Sequence, residues 1–140
     1  MDAVTDDLLV GDLRDAADHD ALRERGVETV VKLTGGEPER PYPEDLTVHR
    51  VPVADGTDHD RDAFAAGVRW TLAALEAGET TLVHCRRGVS RTGAVAGTAL
   101  ACLEDIHAGE GIDRVQAARP RIQPHPDLLT TALAVRELLG

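Results

Sequence analysis

Apolar positions along this chain recur with two alternating periods. Short runs dense in Leu and Val predict strands over residues 8–10, closed by Gly11, over 27–33, closed by Gly35 and Gly36, over 46–53 and over 80–84. The later three read as core strands. Elsewhere the period lengthens to that of a helix. Residues 18–25 form one such stretch, stopped by Gly26. Residues 60–77 form another, with Phe64, Val68, Leu72 and Leu75 on one face and Gly78 as the stop. Residues 92–106 are apolar nearly all round until Glu104, which predicts a central, buried helix whose Gly93 and Gly97 admit close backbone approach. Residues 112–119 are stopped by Pro120, and 126–139 align Leu128, Ala132, Val135 and Leu139. Residues 37–45 hold three prolines and 54–59 carry Asp-Gly, so both read as loops.

Strands alternating with helices predict an α/β fold of three layers. A mostly parallel central sheet of about four strands is flanked by helices. The chain has no repeat or linker, so residues 1–140 read as a single domain. Folds of this kind bind ligands at the carboxyl ends of their strands. The loops holding Cys85 and Asp55 both lie at such ends.

Composition narrows the partners. One Trp70, one Tyr42 and one Phe64 leave the core to Val, Leu and Ala. No apolar run reaches the length of about 18 residues that a membrane span needs. Residues 1–7 lack the basic start of a secretory signal. Cys85 and Cys102 are too few for a disulfide framework, and a working thiol fits a reducing cytoplasm. Cys102, ten residues beyond Thr92 on the same helix, reads as core. Twenty-five acidic residues against 15 basic ones give a net charge of −10. Nucleic acid and anionic membrane are therefore poor partners, and a monomer is expected. Lys32 is the one lysine, and an Asp-rich, lysine-poor chain resembles those of halophiles. At about 1 M salt the Debye length is only about 3 Å, so net charge would not repel an anionic substrate and only local arginines would matter.

The stretch His84-Cys85-Arg86-Arg87-Gly88-Val89-Ser90-Arg91-Thr92-Gly93 joins a predicted strand to a predicted helix. A tight loop entering a helix cradles phosphate with its backbone N–H groups, here those of Arg86, Arg87, Gly88, Val89, Ser90 and Arg91. Gly88 permits the turn. Arg91 adds a planar fork for two phosphoryl oxygens, and the positive surroundings favour the thiolate of Cys85. His84 either orients the loop or ends its strand by packing. Thr92 either assists the sulfur or caps the helix. No metal or other cofactor is called for.

Loss of an alkoxide or phenoxide needs a proton from an acid above the cradle. Asp55 is the first acid after the third predicted strand, with Gly56 as a hinge, and is the preferred donor. Asp58 is its rival, and Asp58 or Asp60 also suits a helix cap.

These residues resemble the cysteine-dependent protein tyrosine phosphatase superfamily, and its compact dual-specificity branch in particular. Weaker similarity runs through Leu8-Leu9-Val10-Gly11, residues 22–33 and Val51-Pro52-Val53-Ala54-Asp55. Thirty positions separate Asp55 from Cys85, similar to the family's spacing, and Arg119-Pro120-Arg121-Ile122-Gln123-Pro124 resembles the segment before its last helix. The resemblance implies Cys85 as nucleophile, Arg91 as phosphate binder, Asp55 as general acid and Thr92 as the hydroxyl of the second step. Gln123 and His125 would border the pocket. The implied substrate is a phosphorylated protein or a small phosphoester. Arg86 and Arg87 depart from the small or neutral residues of many members; they either favour highly anionic substrates or are solvated charges. The short chain implies a shallow, permissive pocket, with Tyr42 as the one aromatic in a rim loop. A rhodanese-like sulfurtransferase, an arsenate reductase and a non-catalytic phosphate-binding module are the alternatives. The usual rhodanese loop is one residue shorter, related arsenate reductases place the cysteine near the N-terminus, and neither needs Asp55.

Overall fold

Leu8, Val10, Val31, Leu33, Val83 and Cys85 pack into one hydrophobic cluster, while Leu9, Val30 and Leu82 pack into a second. Successive residues of a strand face opposite ways, so the two clusters lie on opposite faces of one sheet. The computed structural model describes residues 1–56 and 59–140. Among these, the elements run β1 (Asp2–Ala3), β2 (Leu8–Gly11), α1 (Leu13–Ala17), α2 (His19–Glu24), β3 (Thr29–Lys32), β4 (Thr47–Arg50), α3 (Arg61–Glu76), β5 (Thr81–His84), α4 (Arg91–Glu104), α5 (Ala108–Ala118) and α6 (Pro126–Leu139).

The sheet order is β1-β2-β5-β3-β4. The four strands β2, β5, β3 and β4 are parallel, and β1 adds an antiparallel edge. Helices α3 to α6 cover one face, and α2 with Tyr42 and Leu46 covers the other. The three layers read from the sequence are therefore present, with one more strand than foreseen. β5 lies between β2 and β3, which places the start of the 85–90 loop at the middle of the sheet's carboxyl edge.

Three local expectations are corrected. The predicted core strand over 46–53 is a short edge strand, and Thr47 and Arg50 at its ends are exposed. Its continuation is still held by the sheet, because Val51 N–H donates to Lys32 O and Val53 N–H to Leu33 O. Helix α1 adds to the predicted elements: Asp12 and Asp15 form a reciprocal capping box that starts it. Helix α5 begins at Ala108, four residues before the predicted 112. Gly109 and Gly111 look like loop signals, but a Cβ on Gly97 would lie 2.7 Å from the Ile112 backbone, so the small residues serve close α4–α5 packing. Cys102 is half-exposed rather than core, and partial burial pushes its thiol up, with Arg136 opposing.

Candidate active site

Cys85 directly follows β5, and the chain crosses to α4 by way of residues 86–90. Four consecutive carbonyls of this crossing are tied to the scaffold outside it. Arg86 O accepts from Leu13 N–H at 3.2 Å, and Val89 O accepts from Gln123 N–H at 2.8 Å. Arg87 O and Gly88 O accept from the Arg119 guanidinium at 3.3 and 2.8 Å. A trans, planar peptide whose carbonyl points outward turns the next N–H inward. The amides of Arg87, Gly88, Val89 and Ser90 thus face the enclosed side. Gly88 N–H meets Cys85 Sγ there at 3.2 Å. At Gly88 φ is +65°, and a Cβ would sit 2.6 Å from Gly11 O, so the predicted need for glycine holds on both counts.

Arg119 is the residue that sequence reasoning missed. Its 5% exposure places it inside, behind the loop. It pairs with Asp2 at 2.9 Å and Asp12 at 3.4 Å, and Asp15 lies 3.8 Å away. Burial disfavours the Asp12 carboxylate, but the Asp15 backbone N–H, Arg119 and Arg121 outweigh it and hold its pKa below the ordinary value. The signal for Arg119 was present only as a basic residue before Pro120 in the segment similar to the family's.

A cavity of about 570 Å³ opens over the loop. Its walls include Asp55, Cys85, Arg86, Arg87, Arg91 and Gln123. Val89, Ser90 and His125 also line it, so of the loop residues named from sequence all but Gly88 line this cavity, together with Gln123 and His125. Asp55 is held by two donors, Ser90 Oγ–H at 2.8 Å and Gly56 N–H at 3.0 Å. Ser90 Oγ also accepts from His125 N–H at 2.9 Å, which ties the acid to the segment before α6. Asp60 caps α3, accepting from Asp62 N–H at 2.8 Å. Asp58 lies outside the described residues. Arg91 donates through one guanidinium nitrogen to Val53 O at 3.1 Å, two residues before Asp55, which fixes the arginine beside the acid's own strand end.

Thr92 does not act as the helix cap, because the cap position is Ser90. Its hydroxyl is fully buried, and it is the one buried side-chain polar atom among the described residues without a partner. A buried hydroxyl is rarely left so, and this one sits where the loop enters the helix, able to donate to a charge that forms there.

His84 is fully buried. Its Nδ1 lies 3.2 Å from Cys85 O, which can only accept, so Nδ1 carries the proton. Nε2 then accepts from Tyr42 O–H at 2.7 Å. Burial holds His84 below the ordinary imidazole value, and the neighbouring Lys32 charge adds to this. The neutral ring therefore anchors the nucleophile's backbone. Tyr42 is not a rim residue as expected. It lies behind the strand, packed on the second core cluster, because its hydroxyl serves His84. Burial and Glu37 push its phenol upward.

Arg86 and Arg87 are exposed, and both line the cavity over Cys85. Among the described residues no group of three or more His, Cys, Asp or Glu side chains could hold a metal ion. No helix among them is long and apolar enough to cross a membrane.

Comparison with known proteins agrees with this geometry. The family model described as "Polymorphic toxin system, DSP-PTPase phosphatase" matches residues 12–104. Dual specificity protein phosphatase 22-A of Danio rerio is 27% identical over 126 residues, covering 89% of this chain and 60% of that protein. Dual specificity phosphatase 28 of Homo sapiens is 31% identical over 127 residues, covering 88% of this chain and 70% of that protein. The crystal structure of human DUSP28 superposes with a TM-score of 0.87 at 26% identity, covering 99% of this chain and 97% of that one. A family match over residues 12–104 and a 31% identical relative matched over 88% of this chain show that the chain belongs to the dual-specificity phosphatase family of the cysteine-dependent protein tyrosine phosphatase superfamily.

Proposed function

We propose that the protein hydrolyses phosphate monoesters, phosphotyrosine and phosphoserine or phosphothreonine alike, through a cysteinyl-phosphate intermediate. The observation that carries this is the set of four outward carbonyls from Arg86 to Val89, which aims the following amides at the space above Cys85.

Those amides and Arg91 neutralise the phosphoryl oxygens of the bound dianion. The Cys85 thiolate attacks phosphorus; a P–S bond forms as the P–O bond to the leaving group breaks. Asp55 gives its proton to the departing oxygen. In the second step Asp55, now a carboxylate, takes a proton from water, whose oxygen attacks phosphorus. The P–S bond breaks, Thr92 donates to the thiolate that leaves, and inorganic phosphate is released. No metal or cofactor enters either step.

The substrates are phosphorylated proteins or small phosphoesters, and the protein works as a monomer in the cytoplasm, with neither nucleic acid nor membrane as partner. A net charge of −10 supports the exclusion of polyanions. Lys32 is buried, so the surface cations are arginines, which supports a high-salt setting. A rhodanese-like or arsenate-reducing reaction would give Asp55 no task above the loop. Metal-free release of a phenol from an aryl phosphate tests the proposal. Wild type turns over, and Cys85→Ser binds substrate without turnover. Activity in Cys85→Ser, or its loss on adding a chelator to wild type, would contradict it.

A further inference from the structure

Beside the cavity above Cys85 lies a second and larger one, of about 890 Å³. It lies between α1 and the 36–40 stretch, and Arg86 and Arg87 line both cavities. Arg14 of α1 and Arg40 join them around the opening. Among the described residues, the carboxylates of Asp2, Asp12, Glu104 and Asp105 are taken by other arginines, while these four guanidiniums make no hydrogen bond or salt bridge. Glu37 on the same wall is neutralised from behind by Lys32 at 2.7 Å and Arg50 at 3.6 Å. Asp18 and Glu39 remain as opposing charges. In a chain of net charge −10, this is a local excess of cations beside the reaction centre.

The walls are fixed to the catalytic strand and loop. Leu13 N–H donates to Arg86 O, which joins α1 to the loop. Pro41, next to Arg40, accepts from His19 Nε2 at 2.6 Å, and Tyr42 donates to His84. The backbone beside Arg14 and Arg40 is thereby tied to the Cys85 loop, and neither arginine lines the cavity above Cys85.

We propose that this groove binds the acidic residues flanking the phosphorylated residue of a peptide substrate, a specificity that rests on the phosphatase reading above. Carboxylates or a second phosphoryl group of the peptide meet the four guanidiniums, and the half-buried Leu13 and Ala17 receive its apolar atoms. A peptide suits the groove better than an anionic bilayer. The groove is one local patch in a chain of net charge −10, so an extended anionic surface is repelled by the rest of the protein, whereas a short acidic segment meets the patch alone.

The test compares two phosphotyrosine peptides, one flanked by Glu and one by Ala, with an aryl phosphate as control. All are run at the lowest salt at which the control is hydrolysed. Wild type prefers the acidic peptide about five- to tenfold in kcat/KM, as a few exposed charge pairs allow, and added salt erodes the preference. Arg14→Ala with Arg40→Ala brings the preference below about twofold and leaves the control unchanged. Arg14→Lys with Arg40→Lys retains most of it, because the charge remains. Equal rates on both peptides alongside an active wild-type control would overturn the groove assignment alone. An inactive control would instead sink the phosphatase reading. Faster hydrolysis of phosphoinositide vesicles than of the acidic peptide would also overturn the assignment.

Discussion

The Arg119 guanidinium donates to Gly88 O at 2.8 Å, across 31 positions of sequence, and so sets the orientation of the Gly88–Val89 peptide in the cradle around Cys85. The same guanidinium is pinned by Asp2 and Asp12, 117 and 107 positions away. The cradle is therefore shaped from outside, by a buried cation shared between loop carbonyls and N-terminal carboxylates. Arg119→Met leaves Asp2 and two loop carbonyls without their donor, and leaves Asp12 with Arg121 as its one arginine. It should cost about 2–4 kcal/mol of stability and at least about tenfold in kcat/KM. Arg119→Lys keeps the charge but not the planar fork, and should recover stability more than activity. Urea unfolding and aryl phosphate kinetics on both variants check this. Wild-type kcat/KM in Arg119→Met would remove the arginine from its positioning role.

Tyr42 and His84 lead to a pH prediction. The folded His84 stays neutral because burial disfavours its charge, whereas the unfolded chain titrates it at the ordinary value of 6.5. The unfolded state therefore binds the additional proton as pH falls through that value. Stability contributed by this depressed value is present above pH 6.5 and is lost progressively below it. Urea midpoints should fall between pH 7.5 and 5.5 more steeply in wild type than in His84→Gln. Tyr42→Phe should cost about 1–2 kcal/mol at neutral pH by leaving Nε2 unsatisfied. Parallel pH profiles for wild type and His84→Gln would contradict the assignment.

Ser90 and Asp55 bear on proton transfer. Asp55→Asn should slow esters of poor leaving groups by about 10²–10⁴-fold and esters of good leaving groups much less. Ser90→Ala removes the 2.8 Å bond to Asp55 and should produce a milder form of the same dependence. A series of aryl phosphates with graded leaving groups reads both effects. Loss independent of the leaving group would exclude Asp55 as the proton donor.

The acidic composition predicts a response to salt. Twenty-five carboxylates against 15 basic residues repel one another at low ionic strength, and screening relieves this. Melting temperature and activity should rise from low to multimolar KCl. Full folding and activity without added salt would count against a high-salt protein.

Much of this was legible in the sequence because it rests on local signals. Val30, Val31, Leu82 and Val83 announce buried parallel strands, and Cys85, Gly88 and Arg91 have a spacing that only a phosphate loop explains well. What stayed hidden depends on distant contacts. Arg119 looks like a solvated cation at a helix end until Asp2 and Asp12 fold against it. Tyr42 looks like a rim aromatic until its hydroxyl meets His84. Strand β1 has two residues, too few for any period to register. Ser90 was counted for its amide, and its side chain proved to hold Asp55.

The most direct measurement is intact-mass analysis of Asp55→Asn, quenched in acid during turnover of a phosphate ester with a good leaving group. Slowed hydrolysis should let the protein accumulate one phosphoryl group, and peptide mapping should place it on Cys85. A phosphoryl group on any other residue, or turnover with Cys85 already alkylated, would contradict the account.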